Sequence, residues 1–247
     1  MDLVAFDLEI AKEIPEGEEL MAHRPLHITC AAACNHILWD HIWHSGRGPA
    51  RYSSWMEPTM AQNVADCLWK WHSRGATIIT WNGLGFDFDI LAEECRSQEH
   101  KDRLIEIALG HVDMGFQMLC EKGFMCGLEA AALGMGLPGK LEGVNGAQAP
   151  AMWKQGVWEQ EKVLSYVKQD VVTTMQVYQE ILKCGKLMWP TKKGTIGKWG
   201  PTFKEGRMLT VRECMDLPLP DTSWMDEPWP RSKFYGWTEK DASNQQS

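Results

Sequence analysis

The chain has 247 residues, 44% of them hydrophobic and 23% charged, with a net charge of −8. That suits one large soluble domain, or one domain with an appendage. The lack of any apolar run of about 18 residues excludes an expected membrane span, and Met1-Asp2 begins no basic-then-apolar leader, so the expected compartment is the cytoplasm.

Residues 3–10 read as a buried strand that nevertheless carries Asp7 and Glu9. Alternate side chains of a strand share a face, so both carboxylates point the same way, ~6–7 Å apart along the backbone. Two acids on one face of a core strand are costly unless a cation neutralises them, which makes the stretch a candidate divalent-metal platform. A surface-edge strand with solvated acids is the plainer alternative. After an acidic loop, residues 25–34 and 37–43 read as two further strands, forming an antiparallel meander with the first. Cys30, Cys34, His36, His41 and His44 fit no standard zinc spacing, and the eight cysteines, without a CxxC pair, read as reduced thiols.

Residues 57–74 form an amphipathic helix in which Met60, Val64, Leu68 and Trp71 make a core-facing stripe. Residues 76–81 are a β-branched fourth strand. The turn Asn82-Gly83-Leu84-Gly85 follows, with Phe86 and Asp87 opening a helix. Asp87 reads equally as a helix cap and as a site acid, because ligand sites in α/β sheets gather at strand ends. Residues 95–109 are helical and charged. A short strand is expected at 111–114, with Asp113 capping the helix that starts near Gly115. Helix continues over 128–133.

The Gly/Pro-rich loop 134–150 contains Gly134-Met-Gly-Leu-Pro-Gly139-Lys140-Leu141, close to a phosphate-binding P-loop. Leu141 lacks the required hydroxyl and a helical pattern precedes it, so nucleoside triphosphate binding is rejected. Lys140 is left either as a point charge for a substrate phosphate or as a solvated lysine. Residues 159–184 are the longest helix, with an apolar ridge of Val163, Val167, Val171, Met175 and Tyr178. Tyr166 and Asp170 are i, i+4 neighbours, ~5–6 Å apart between Cβ atoms, so they can address one point or simply pair on the surface.

Residues 183–212 hold eight basic residues and one acid, a local +7 against −15 elsewhere, which together give the net −8. That polarity suits an acidic site beside a surface for a polyanion. Trp189, Trp199 and Phe203, interleaved with lysines, could stack bases of a single strand or could pack down over the domain. A hairpin and a helix at 208–215 are expected, then extended chain over 218–230.

The segments FDLEI, NGLGFD and YVKQD, in this order and these contexts, resemble the three motifs of the DEDD superfamily of 3′→5′ exonucleases, in the branch with a Tyr-x-x-x-Asp third motif. The resemblance implies a ribonuclease H-like α/β fold, a mixed β-sheet flanked by helices. It covers residues 1–185 and leaves a basic, Trp-rich C-terminal extension (186–237) and a disordered tail (238–247). The loop ending in Gly139-Lys140 is most similar to the proofreading domains of family-B DNA polymerases, although no polymerase module follows.

The resemblance implies two divalent cations, Mg²⁺ or Mn²⁺, which in such sites activate the nucleophile and stabilise the departing oxygen. By the same resemblance Asp7 bridges the ions, Glu9 and Asp170 complete one ion's site, Asp87 acts on the other through water, and Tyr166 orients the attacking water. A phenol of pKa ~10 is a poor base near neutrality, so tyrosine is a positioning group. Substrate contacts are expected from Leu8, Phe86, Asn82 and Lys140. Ile10 departs from the threonine of many relatives and removes a hydroxyl near the 3′ end. The expected partner is single-stranded nucleic acid, DNA ahead of RNA. A non-catalytic binding module on the same fold is the alternative.

Overall fold

The computed structural model describes residues 2–37, 40–46, 52–139 and 146–239. Five strands form one mixed sheet: β1 (Leu3–Ile10), β2 (Ile28–Asn35), β3 (Asp40–His44), β4 (Thr77–Thr80) and β5 (Val112–Asp113), in the order β3-β2-β1-β4-β5. β1–β2 and β2–β3 are antiparallel, whereas β1–β4 and β4–β5 are parallel. Between the strands lie α1 (Pro58–Ser73), α2 (Asp87–Cys95) and α3 (Gln98–Gly110), and after β5 come α4 (Met114–Lys122), α5 (Leu128–Gly134), α6 (Ala149–Trp153) and α7 (Val157–Cys184). The α/β fold is therefore ribonuclease H-like, a mixed sheet flanked by helices. No described helix is long and apolar enough to cross a membrane.

The period of two in the strands divides the core into two layers. Val4, Phe6, Leu8 and Ile10 join Ala31, Ala33 and Ile78 in one apolar cluster, covered by α1 to α4. Ala5, Cys30, Ala32, Cys34 and Ile79 face the other way, against α6 and α7. The small side chains on this second face let α7 come close, and the Cys34 thiol donates to the Val171 carbonyl at 3.3 Å. Asp7 and Glu9 share the face of Ala5, so β1 presents both acids to α7.

The helix expected to open at Phe86 and Asp87 and the helical run expected over 95–109 are α2 and α3. Arg96 takes a left-handed φ of 50° between α2 and α3 and ends the first helix there. α6 begins within the last two residues of the expected loop 134–150.

Beyond α7 come two short hairpins, β6 (Leu187–Pro190) with β7 (Ile196–Trp199) and β8 (Phe203–Lys204) with β9 (Arg207–Met208), followed by α8 (Val211–Met215) and α9 (Ser232–Tyr235). Gly134 explains how β6 docks on α5: a Cβ there would collide with the Met188 backbone. That close approach accounts for the first glycine of the P-loop look-alike; Lys140 and Leu141 lie outside the described residues. Trp189 and Trp199 are buried, Trp199 donating its indole N–H to Glu121 at 2.8 Å. They pack the extension down and offer no stacking platform, which corrects that reading of the sequence. Four of the eight basic residues, Lys183, Lys204, Arg207 and Arg212, are in ion pairs with Glu180, Glu213 and Glu106. The expected +7 surface is therefore partly neutralised by its own neighbours.

Candidate functional site

A short β4 explains how the site begins. β4 pairs β1 only over Leu3 to Ala5, so the edge of β1 beyond Ala5 is open on that side. Asp87, the first residue of α2, fills the gap: its Oδ1 accepts the Leu8 backbone N–H at 3.0 Å. The cap position belongs to Phe86, which makes no side-chain cap bond, so Asp87 ties α2 to β1 in place of capping the helix. Burial pushes its carboxyl up to about 8, opposed by the Leu8 N–H and assisted by the charges of Asp113 and Asp170.

Three further carboxylates meet where β1 faces α7. Asp7, Glu9 and Asp170 each bring an oxygen within 4.8 Å of the others. Glu9 and Asp170 are buried and Asp7 is half-buried. The β1–β2 register slips between Glu9 and Ile10, a bulge beside the acids, where Thr29 Oγ1 donates to the Glu9 carbonyl at 3.0 Å. One turn before Asp170 on the same face of α7, the buried Tyr166 hydroxyl bonds the Asp170 carboxylate. Burial first, then the charges of Asp170 and Glu9, hold that hydroxyl far above the usual tyrosine range, so it stays protonated and acts as a donor. Burial and then the charges of Glu9 and Asp7 push up the Cys30 thiol.

Three carboxylate oxygens converging without histidine or cysteine are a hard donor set, and their spacing fits a divalent cation of the magnesium or manganese type. Among the described residues no other group of three acids, histidines or cysteines converges this way. The Cys30, Cys34 and histidine cluster does not, its cysteines being buried in the core.

Asp113 has a different job. It caps α4 by accepting from Phe116 N at 2.9 Å, as its sequence position predicts, and also accepts from Asn82 N at 2.8 Å and Leu84 N at 2.9 Å. These bonds fix the turn before Asp87, in which Asn82 takes a left-handed φ of 69°. Asn82 therefore shapes the turn, while its side-chain Oδ1 is buried without a hydrogen-bond partner.

Asp7 and Asp170 open into a cleft of about 750 Å³, lined also by Trp81, Asn82, Phe86 and Met125. Phe86 thus lies where a substrate contact was expected. Leu8 does not; its side chain is in the core, as is that of Ile10, on the face opposite the acids. Lys140 is outside the described residues, but Gly146, at the end of the same loop, sits beside the Tyr166 hydroxyl, 3.8 Å from where its Cβ would be.

Sequence reasoning missed the rest of the cleft wall: Leu20 and Met21 from the acidic loop, and Trp229, Lys233 and Phe234 from the C-terminus. The aromatic and basic residues of 229–234 were visible as a pattern, but the surrounding prolines read only as extended chain.

A comparison with curated proteins found no match. Residues 41–182, more than half of the chain, match the sequence model of the RNase H superfamily, a stretch that holds Asp87, Tyr166 and Asp170. With the five-stranded mixed sheet and the buried carboxylates at its centre, this match establishes that the chain belongs to the RNase H superfamily.

Proposed function

We propose that the chain is a metal-dependent 3′→5′ exonuclease of the DEDD type with a tyrosine third motif, acting on single-stranded 3′ ends, DNA ahead of RNA, and releasing nucleoside 5′-monophosphates. The observation that carries this reading is the convergence of Asp7, Glu9 and Asp170, with Tyr166 bonded to Asp170. Three acids so close repel one another, and holding cations is the use that offsets that cost. Two divalent ions, Mg²⁺ or Mn²⁺, would supply there an activated nucleophile and neutralisation of the departing 3′-oxygen.

The chain's own residues do the remaining work. Asp7, Glu9 and Asp170 would hold the ions directly. Asp87, fixed by the Leu8 N–H, is held at the sheet edge beside them. Tyr166, protonated throughout the physiological range, donates its one proton to Asp170 and aims an oxygen nucleophile by accepting a hydrogen bond from it, without removing its proton. Phe86 and Trp81 give the cleft an apolar wall for the terminal base.

The test is incubation with 5′- and 3′-labelled single-stranded DNA and RNA in Mg²⁺, Mn²⁺ or EDTA. The expected result is stepwise release of mononucleotides from the 3′ end, abolished by EDTA and faster on DNA. No metal-dependent release from any of these substrates sinks the enzyme reading.

A further inference from the structure

The C-terminal segment reaches back across the molecule and is fastened beside the acidic site. Arg231 is the rivet: its guanidinium donates to the carbonyls of Leu217 (2.6 Å), Pro218 (2.6 Å) and Cys120 (2.7 Å). Trp237 Nε1 donates to the Leu84 carbonyl, inside the turn that precedes Asp87, at 2.7 Å. Between these anchors Phe234 is driven into the core, 6.1 Å from Phe116 between ring centres. Its ring lies against Gly85, where a Cβ would come within 2.6 Å of it. The second glycine of NGLGFD is therefore the seat of the C-terminal helix.

Fixing Phe234 leaves its two neighbours facing the cleft. Trp229 packs one side against Phe234, 6.1 Å between ring centres, and remains 53% exposed. Lys233 reaches across the cleft to Glu19 at 3.0 Å, with half of the lysine side chain and 64% of the glutamate side chain in water. Both line the same cavity as Asp7 and Asp170. The cleft thus joins an acidic end to a wall with an available aromatic face and a cation. An exposed lysine–glutamate pair is worth only about 0–1 kcal/mol, so a phosphate can displace the Glu19 carboxylate from Lys233.

We propose that residues 229–234 form the binding wall for a single nucleic-acid strand entering the acidic site, with Trp229 stacking on a base and Lys233 exchanging Glu19 for a backbone phosphate. The occupant follows from continuity with the carboxylate cluster and from charge. A strand end whose terminal linkage lies at Asp7 and Asp170 must run its next nucleotides along this wall, and stacking on a ring with a lysine at the backbone is how single strands are held. The cleft volume is that of a pocket for one small ligand, which suits one strand. This inference rests on the nuclease reading.

Its test measures binding in Ca²⁺ of a 5′-fluorescein-labelled single-stranded oligothymidylate, protected by a 3′-terminal phosphorothioate, to the full-length protein. A lost stack is worth about 1–3 kcal/mol, so Trp229→Ala is expected to weaken binding about 5- to 150-fold. Lys233→Gln is expected to weaken it and to lower the slope of log affinity against log salt by about 0.7. Glu19→Gln, which removes the competing carboxylate, is expected to tighten it. Leu219→Ala, a change at an 82% exposed side chain elsewhere on the extension, serves as the control and binds as the unmutated protein does. Wild-type affinity and salt slope in both Trp229→Ala and Lys233→Gln overturn the inference. So does equal weakening by Lys233→Gln and Glu19→Gln, because the pair would then be only a fastener. Hydrolysis by the unmutated protein alongside those negative results leaves the nuclease reading standing. Trp229- and Lys233-dependent binding without hydrolysis in any metal supports the wall and overturns the nuclease.

Discussion

Asp113 and the Asp7–Glu9–Asp170 cluster are both acidic groups inside one α/β domain, yet their surroundings are opposite. Asp113 receives three backbone N–H groups, from Asn82, Leu84 and Phe116, and its charge is spread over donors that the fold has to satisfy anyway. The other three carboxylates bring their oxygens within 4.8 Å of one another, so each raises the cost of ionising its neighbours. A carboxylate surrounded by donors stabilises a fold. Carboxylates aimed at each other stabilise it only when a cation sits between them. The two places are linked, because the turn that Asp113 fixes is the one that delivers Asp87 to β1.

Substitution tests that contrast directly. Asp7→Asn is expected to lower metal-dependent hydrolysis by at least about 10³-fold, or about 4 kcal/mol of barrier, while the metal-free protein melts no lower than the unmutated one because a mutual repulsion has been removed. Asp113→Ala is expected to do the reverse. It leaves buried N–H groups without their acceptor at about 1–3 kcal/mol each, so a loss of at least about 3 kcal/mol should appear as a fall of roughly 6–12 °C in Tm. Thermal unfolding in EDTA separates the two. If Asp7→Asn also lost several degrees there, its cluster would be a structural device like Asp113.

Much of this is legible in the sequence. Apolar alternation located β1, and the period of two put Asp7 and Glu9 on one face. An i, i+4 spacing put Tyr166 and Asp170 on another, and the strand-end position of Asp87 suggested it belonged with them. What could not be read was tertiary. The break at Arg96 is hidden in a run whose composition is helical on both sides, because arginine carries no side-chain signal for the left-handed φ it takes there. Trp189 and Trp199 looked like a stacking surface because nothing local distinguishes a buried indole from an exposed one. Phe234 meets Gly85 only because Arg231 and Trp237 fold the C-terminus back onto it, and no local pattern encodes a contact between segments so far apart.

Tyr166 sharpens the comparison at a smaller scale. Its hydroxyl bonds one of the crowded acids, and burial with the surrounding charges keeps it protonated. Tyr166→Phe is expected to slow hydrolysis about tenfold, equal to about 1.4 kcal/mol, with metal affinity retained. Because its folded pKa lies above the ordinary value of about 10, the unmutated enzyme should show no ascending limb from tyrosine ionisation between pH 6 and pH 9. A limb in that range that disappears in Tyr166→Phe would make the tyrosine a base and displace the positioning role.

Glu213 is the surface counterpart of Asp113 and carries the smallest effect. Arg207 binds it through both terminal nitrogens, at 2.7 Å and 3.2 Å, Lys204 approaches to 2.8 Å, and it completes a capping box with Thr210 at the start of α8. The Arg207 bond above all holds its carboxyl well below the usual range, against a partial desolvation that acts the other way. A lowered folded pKa means that the stabilisation is present above the unfolded value, near 4.5, and is lost as pH falls through the folded one. Glu213→Gln is therefore expected to cost about 1 kcal/mol at pH 7, a fall of about 2–4 °C in Tm. Because the unmutated protein alone loses its Glu213 contribution as the carboxylate protonates, the two melting curves should converge on acidification below about pH 4. The difference should also be the same in Mg²⁺ and in EDTA, since donors and not a cation neutralise this carboxylate. A Glu213→Gln effect that grew with divalent metal would mean that the extension, too, holds a cation, and the division between acids that serve the fold and acids that serve the site would not survive it.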